Sequence, residues 1–218
     1  MTDTIVEKIM EMPSAPKVLD SLRHALEEER CRREQFYKDI TPSEKAEFIN
    51  GEVIIHSPAK KRHTDAVKYL SRLMGLFCDK FDLGWVGIEK ALIRLTRNDY
   101  EPDVCYFDNE KTKELEDNTM LFPAANLAIE VLSPSTEHRD RGIKYQDYEE
   151  HGIEEYWIVD TTEKTVEQYH LRNGKYELIL KASDGEIASF ALKGFTIPIK
   201  AIFDKELNVK VLTEIVTS

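Results

Sequence analysis

The sequence predicts an α/β fold, with a mixed central β-sheet flanked by α-helices and an extra helix at the N-terminus. Two nearly continuous apolar runs, at 127–132 and 155–160, are typical of strands buried in the centre of a sheet. Segments with apolar residues at helical spacing alternate with strand-like runs, which is the pattern of an α/β domain. The Asn-Gly pairs at 50–51 and 173–174 each separate two strand-like runs, as the turn of a β-hairpin does.

The remaining elements follow in chain order. A helix is predicted at 17–38, and its short apolar stripe suits a lid or a dimer contact. Residues 46–49 and 52–55 form the first predicted hairpin, and a helix at 61–82 follows. Strands are expected at 85–95, 104–107 and 127–132, and a helix at 137–151 begins after Ser135 or Thr136 and ends at Gly152. The last elements are a strand at 155–160, a hairpin of 166–171 with 175–180, short strands near 187–198 and a small element at 200–214.

The composition excludes several classes of protein. The 218 residues carry a formal net charge of −11, which argues against broad, charge-driven binding of nucleic acid but suits an enzyme that gathers acids around metal ions. No apolar run approaches the roughly 20 residues that span a bilayer, and the N-terminus lacks the pattern of a signal peptide. The three cysteines are far apart in the sequence, so we expect no zinc site or disulfide framework, and a cytoplasmic location.

Two acidic residues are the strongest candidates for a functional site. Glu130 lies inside the apolar run at 127–132, where an ionised carboxylate is costly unless it is paired or bound to a metal. A structural partner for Glu130 explains this position equally well when the strand is considered alone. Asp103 follows Pro102 at the start of another predicted strand. Two strands of one sheet can bring these carboxylates together, and such a pair suits magnesium.

Basic residues near these acids could contact a phosphate. Lys144 lies on the predicted helix after Glu130, where its ammonium could orient a water molecule or stabilise charge on a phosphate, although an isolated lysine on a helix is more often simply exposed. The helix at 61–82 begins in the most basic segment of the chain. Its residues Lys61, Lys68 and Arg72 fall near helical spacing and could contact a phosphate backbone; an exposed, solvated helix face is an equally good explanation.

The longest specific signal is a run at 127–160, LAIEVLSPSTEHRDRGIKYQDYEEHGIEEYWIVD. It closely resembles the Uma-type restriction endonuclease family of the PD-(D/E)XK nuclease superfamily. Supporting segments are NGEVIIHSP at 50–58, EPDVCYF at 101–107 and TVEQYH at 165–170, and the resemblance extends over about 44–200. It implies a restriction-endonuclease-like nuclease domain at 44–218, preceded by a helical extension at 1–43.

The resemblance also implies a site and an activity. Asp103 matches the family's Pro-Asp motif and Glu130 its second acid, while Leu132 stands where the strict pattern has lysine and Lys144 matches the lysine on the following helix. Glu52 and the carbonyl of Val131 would be further metal ligands, and His63 matches a histidine at the next helix. We therefore expect a magnesium- or manganese-dependent endonuclease that acts on DNA as a homodimer, without a membrane anchor. Two alternatives remain: an inactive nuclease-fold protein that binds nucleic acid or a protein, and an acidic scaffold dimer formed through the N-terminal helix.

Overall fold

The computed structural model describes residues 2–41 and 43–218. Its helices are α1 (Thr2–Met10), α2 (Ala15–Asp39), α3 (Lys61–Phe81), α4 (Asn109–Thr112), α5 (Glu137–Asp140), α6 (Ile143–Glu150) and α7 (Lys205–Thr217), with a 3₁₀ turn at Ile199–Ile202. Its strands are β1 (Ala46–Ile49), β2 (Glu52–Ile55), β3 (Trp85–Ile88), β4 (Leu92–Arg94), β5 (Asp99–Tyr100), β6 (Val104–Phe107), β7 (Leu121–Phe122), β8 (Leu127–Val131), β9 (Glu155–Asp160), β10 (Thr165–Arg172), β11 (Lys175–Ala182), β12 (Glu186–Ala188) and β13 (Thr196–Pro198).

The central sheet has six strands in the order β11-β10-β9-β8-β6-β3. Strands β8 and β9 are parallel and their other neighbours are antiparallel, so the sheet is mixed. The predicted α/β class with a mixed central sheet is confirmed. A second sheet has five strands in the order β2-β1-β5-β4-β7 and includes the first predicted hairpin, formed by β1 and β2.

Both faces of β8 are buried, as its nearly continuous apolar run predicts. Leu127, Ile129 and Val131 point into a core cluster formed with α3 and α7. Ala128 belongs to a second cluster on the opposite face, which includes Tyr148 from α6. Because side chains alternate along a strand, Glu130 shares the face of Ala128 and is directed towards α6.

Two predicted elements are broken in the structure. The strand expected at 85–95 divides into β3, in the central sheet, and β4, in the second sheet, and the chain turns at Glu89, which has a φ of 58°. The helix expected at 137–151 divides into α5 and α6 at Gly142. A Cβ atom at Gly142 would lie 2.6 Å from the carbonyl oxygen of His138, so only glycine fits this close approach without a shift.

Helix α2 is divided between a packed half and an exposed half. In the packed half, the Arg33 guanidinium donates to both carboxylate oxygens of Asp99 at 2.6 Å, and the rings of Phe36 and Phe48 lie 5.8 Å apart. The exposed half carries Leu19, Leu22 and Leu26. The predicted N-terminal extension at 1–43 therefore includes residues that pack on the body of the protein. No helix within 2–41 or 43–218 is long and apolar enough to cross a membrane.

Candidate active site

A cavity of about 560 Å³ opens at the end of β8. Asp103, at the start of β6, and Glu130, near the end of β8, both line it, together with Val131 and Lys144. The cavity is strongly charged, with further lining side chains from Glu44, Lys45, His56, Lys60, Arg62, His63, Glu89, Lys90 and Arg139. The structure thus brings the two predicted acids and the predicted lysine into one cavity.

Asp103 is buried, and both of its carboxylate oxygens accept hydrogen bonds. Its Oδ2 accepts the backbone N–H of Val131 at 2.8 Å, because β6 and β8 are neighbours in the sheet. Its Oδ1 accepts the Nζ of Lys45 at 2.5 Å and lies 3.4 Å from Nε2 of His63. Burial raises the pKa of Asp103, but the charge of Lys45 and the hydrogen bond and charge of His63 outweigh it and hold the pKa well below its usual range.

Glu130 has the opposite electrostatic character. Its Oε1 accepts hydrogen bonds from Nζ of Lys144 and from the hydroxyl of Tyr148, each at 2.9 Å. Burial is the largest influence and raises the pKa of Glu130 to about 8, with help from the charges of Asp140 and Asp103 and against the charge of Lys144. Burial of Glu130 therefore lowers the stability of the folded protein, which is common for carboxylates with a functional role.

Lys144 lies at the floor of the cavity among three carboxylates. It is only 1% exposed, and its Nζ is 2.8 Å from Oε1 of Glu47, 2.9 Å from Oε1 of Glu130 and 3.4 Å from Oδ1 of Asp140. Burial lowers the pKa of Lys144, but these carboxylates raise it far above the usual value. The expectation of an exposed helical lysine therefore does not apply here.

Glu47 is a site residue that the sequence patterns did not identify. It is completely buried in β1, contacts Lys144 and lies 3.0 Å from Nε2 of His56. Burial raises the pKa of Glu47, but Lys144 and His56 outweigh it and lower the pKa to about 2. The signal that identified Glu130, a single acid in an otherwise apolar run, is equally present in the AEFI sequence of β1.

Glu52, the predicted acidic ligand from the same hairpin, lies elsewhere. It pairs with Ile49 beside the turn and is exposed. The cavity is lined instead by the open end of the hairpin, where Lys45 and His56 lie. His56 lies four positions after Glu52 along extended chain, which is a distance of roughly 13 Å. The assignment of Glu52 as a ligand at this cavity is therefore corrected, and Glu47 is the acid of this hairpin that reaches the site.

The predicted phosphate contacts on α3 are also outside the cavity. Lys61 forms an ion pair with Asp65, and Lys68 is exposed. Arg72 turns inward: it donates to Asn208, and its guanidinium lies 4.9 Å from the ring centre of Tyr69. These three residues do lie on one helix, but the face they share is not the face that carries His63 into the cavity. Lys60 and Arg62 line the cavity in their place.

One imidazole and two carboxylates that could bind a metal ion lie close together around Asp103. His63, Glu89 and Asp103 each offer a ligand atom, and these atoms lie within 4.8 Å of one another. The buried Nδ1 of His63 has no hydrogen-bond partner among residues 2–41 and 43–218. Glu89 is held in the left-handed conformation at the turn after β3, and its N–H donates to the carbonyl of Asp103 at 3.1 Å. Glu89 falls within the strand predicted at 85–95, and no sequence pattern identified it as a site residue.

Comparisons with known proteins identify the family and the fold of this chain. The model of the Uma2 family, described as "Putative restriction endonuclease", matches residues 33–200. An uncharacterized protein of Synechocystis sp., slr1290, is 30% identical over 148 residues, which represent 65% of this chain and 75% of that protein. The crystal structure of "a putative nuclease belonging to DUF820" from Anabaena variabilis has a TM-score of 0.67 and 18% identity, and covers 82% of this chain and 97% of that chain.

The structural likeness shows a shared fold, and the family match includes Asp103, Glu130 and Lys144 within its limits. The predicted restriction-endonuclease-like fold and the predicted family are both confirmed. The chain belongs to the Uma2 family of restriction-endonuclease-like nucleases, whose family description is "Putative restriction endonuclease".

Proposed function

We propose that this protein is a magnesium-dependent endonuclease, also able to use manganese, which hydrolyses phosphodiester bonds of DNA in the cavity at the end of β8. The observation that carries the proposal is the convergence of Asp103 and Glu130 from neighbouring strands, with Lys144 beneath them, in one charged cavity. Carboxylates from adjacent strands are a suitable ligand set for a hard divalent cation.

The donor set fits such a cation in type and in charge. Asp103, Glu130 and the carbonyl of Val131 would hold it, and His63 and Glu89 offer further ligand atoms beside Asp103. Four carboxylates contact the two lysines of the site: Asp103 contacts Lys45, and Glu47, Glu130 and Asp140 contact Lys144. With all four ionised and the imidazoles neutral, the cluster has an excess of two negative charges, which a divalent cation would balance. When bound, a divalent cation would stabilise the charge that develops on a phosphate during hydrolysis.

The protein's own groups would position the reaction. Lys144 is proposed as the functional lysine of the nuclease site. Its ammonium fixes the orientation of Glu130 and balances the charge of Glu47. Tyr148 gives Glu130 a second fixed donor. The carboxylate of Asp103 is oriented by the N–H of Val131, so each acid is held by groups on rigid strands and helices, as precise positioning requires.

The test is hydrolysis of supercoiled plasmid by the purified protein with Mg²⁺, with Mn²⁺ and with a chelator, alongside single-stranded and double-stranded RNA. Metal-dependent nicking of plasmid would support the proposal. Binding without cleavage under all of these conditions would support the alternative, an inactive nuclease-fold protein, which is favoured by one feature of the chain: Leu132 stands where the strict motif has a lysine.

DNA is expected to bind through Lys60 and Arg62, which line the cavity, because the chain as a whole has a net charge of −11 and should repel DNA elsewhere. Each phosphate of duplex DNA that the protein ceases to neutralise should lower the slope of log affinity against log salt by about 0.9, so Lys60→Gln with Arg62→Gln should lower it by about 1.8. The double variant Lys61→Gln with Lys68→Gln, on the same helix but outside the cavity, is the matched control. The slope would be measured by titration of labelled duplex in Ca²⁺. An equal reduction of the slope in both double variants would contradict a localised binding surface.

We also propose that the protein is a homodimer formed through α2. Leu19, Leu22 and Leu26 continue, at spacings of three and four residues, the seam with which Arg33 and Phe36 pack on the body of the protein. This spacing is that of a helix–helix contact seam. Beside the packed half of α2 lies a groove lined on its far side by Val53 and Ile55, which are 50% and 60% exposed.

Two copies would cover both surfaces at once. If the α2 helices pair in antiparallel orientation about a twofold axis, the exposed half of one helix lies along the packed half of the other, next to its groove. A second copy is therefore the occupant that the surface fits, since it supplies an apolar helix for each groove and a groove for each apolar helix.

Replacing Leu19, Leu22 and Leu26 together with Gln should convert the protein to a monomer of 25.3 kDa without loss of fold. These side chains are 46–52% exposed in the single chain, so their replacement removes dimer packing rather than core packing. Light scattering after size-exclusion chromatography would measure the mass. The control replaces three comparably exposed apolar residues away from α2, Leu178, Ile179 and Val209, and should leave the dimer intact. A monomeric wild-type protein would refute the proposed interface.

A further inference from the structure

Lys45, which lines the cavity beside Asp103, donates to the carboxylate oxygen Oδ1 of Asp103. The other oxygen, Oδ2, already accepts the N–H of Val131. Lys45 Nζ lies 2.5 Å from Oδ1, and this is the same oxygen that lies 3.4 Å from Nε2 of His63. The ammonium of Lys45 and the ligand atoms of His63 and Glu89 therefore converge on one side of Asp103.

A divalent cation and the Lys45 ammonium would repel each other if both contacted Oδ1 of Asp103. Mg²⁺ lies about 2.0–2.1 Å from its oxygen ligands, so an ammonium that stays at hydrogen-bond distance from the same oxygen would be within roughly 5 Å of the ion. In a cavity with a low effective dielectric constant, that repulsion is strong. The repulsion therefore favours an arrangement in which one of the two positive charges moves away from Asp103.

The two lysines of the site differ in their freedom to move. Lys144 is fixed by three carboxylates and is 1% exposed. Lys45 contacts a single carboxylate, its side chain is 15% exposed, and it borders a cavity of about 560 Å³ into which its flexible stem can swing. Burial lowers the pKa of Lys45, but Asp103 and Glu130 raise it overall, so it remains a cation.

We propose that the Lys45 ammonium holds the cation position on Asp103 in the metal-free protein and is displaced when a divalent cation binds, an inference that rests on the proposed metal site. Lys45 thereby satisfies a buried carboxylate in the absence of metal, and it weakens metal binding because the ion has to compete with it. The displaced ammonium remains in the cavity, where a phosphate group would arrive.

The test is Mn²⁺ binding to the full chain, measured at one fixed pH by the electron paramagnetic resonance signal of free Mn²⁺. Lys45→Met removes the competing charge while keeping a long side chain, and it should bind Mn²⁺ roughly tenfold more tightly than the wild type. Lys45→Arg retains the charge and should bind no more tightly than the wild type. Lys90→Met is the matched control from the same cavity, because Lys90 donates to the carbonyl of Glu44 and not to Asp103.

The outcomes separate this inference from the proposed function. If the wild type binds Mn²⁺ and Lys45→Met binds it equally or more weakly, the exchange is refuted while the metal site stands. If neither protein binds Mn²⁺, both are refuted. Thermal melting in chelator checks the fold of each variant, and Lys45→Gln, which keeps an amide donor for Asp103, replaces Lys45→Met should that variant fail to fold. Tighter binding in Lys90→Met as well would show a general charge effect and overturn the specific role of Lys45.

Discussion

Asp103→Asn and Glu130→Gln should each lower magnesium-dependent cleavage of plasmid by on the order of 10³-fold. Both substitutions keep the size of the side chain and remove the negative charge that would hold the cation. In each variant the oxygen of the introduced amide can still accept the hydrogen bond from Val131 or from Tyr148 that orients the native carboxylate. Asp103→Asn also loses the charge that pairs with Lys45, so thermal melting would check that it folds. Initial rates of nicking over a range of Mg²⁺ concentrations would measure the loss.

The matched control is Glu52→Gln, the other acid considered for this hairpin. Glu52 is exposed beside the turn and away from the cavity, so its replacement should leave cleavage within about twofold, because a surface substitution far from a site rarely changes it. A loss of activity in Glu52→Gln equal to that in Asp103→Asn would contradict the location of the site. Full activity in both Asp103→Asn and Glu130→Gln would contradict the function itself.

The difference between Glu47 and Glu52 shows how far the sequence alone determines the site. The hairpin of β1 and β2 was predicted at its observed bounds, because Asn-Gly specifies a tight turn and both flanking runs favour strands. Which end of that hairpin borders the cavity depends on how β1 pairs with β5, a contact formed by Phe48 and Asp99 far away in the chain. No local pattern contains that information.

The residues on β6, β8 and α6 were more predictable because their positions follow from local rules. Glu130 stood out as an acid in a buried strand, and alternation along β8 correctly assigned its face. Lys144 was a candidate because of its place on the helix after Glu130, but an exposed lysine explained that position better until the family resemblance supported its assignment to the site. Lys45 and Glu89 were missed because each reaches Asp103 from a loop or strand end, and only the folded chain brings them there.

Lys144→Met should lower the free energy of unfolding in chelator by about 3–5 kcal/mol, the usual cost of removing one partner from a buried ionic group. The ammonium is the shared counterion of Glu47, Glu130 and Asp140, and without it these carboxylates repel one another in a buried environment. For a protein of this size the midpoint of thermal unfolding should fall by on the order of 10 °C. The control is Lys175→Met, which removes an exposed lysine from its ion pair with Glu149 and should leave the free energy of unfolding nearly unchanged.

Glu130→Gln is expected to behave in the opposite way. Burial raises the pKa of Glu130 from its ordinary value of 4.5 to about 8, so the folded protein has to take up a proton there near neutral pH, and this costs stability. An uncharged amide avoids that cost, so Glu130→Gln should leave the metal-free protein equally or more stable. Glu47→Gln provides the contrast within the same cluster: Lys144 and His56 lower the pKa of Glu47 to about 2, so its charge stabilises the fold and its removal should be costly. Unfolding in urea with chelator present would measure all of these variants. A sharp loss of stability in Glu130→Gln would make Glu130 one half of a structural ion pair and would count against its role as a metal ligand, whereas stability retained alongside abolished cleavage would separate its chemical role from its place in the fold.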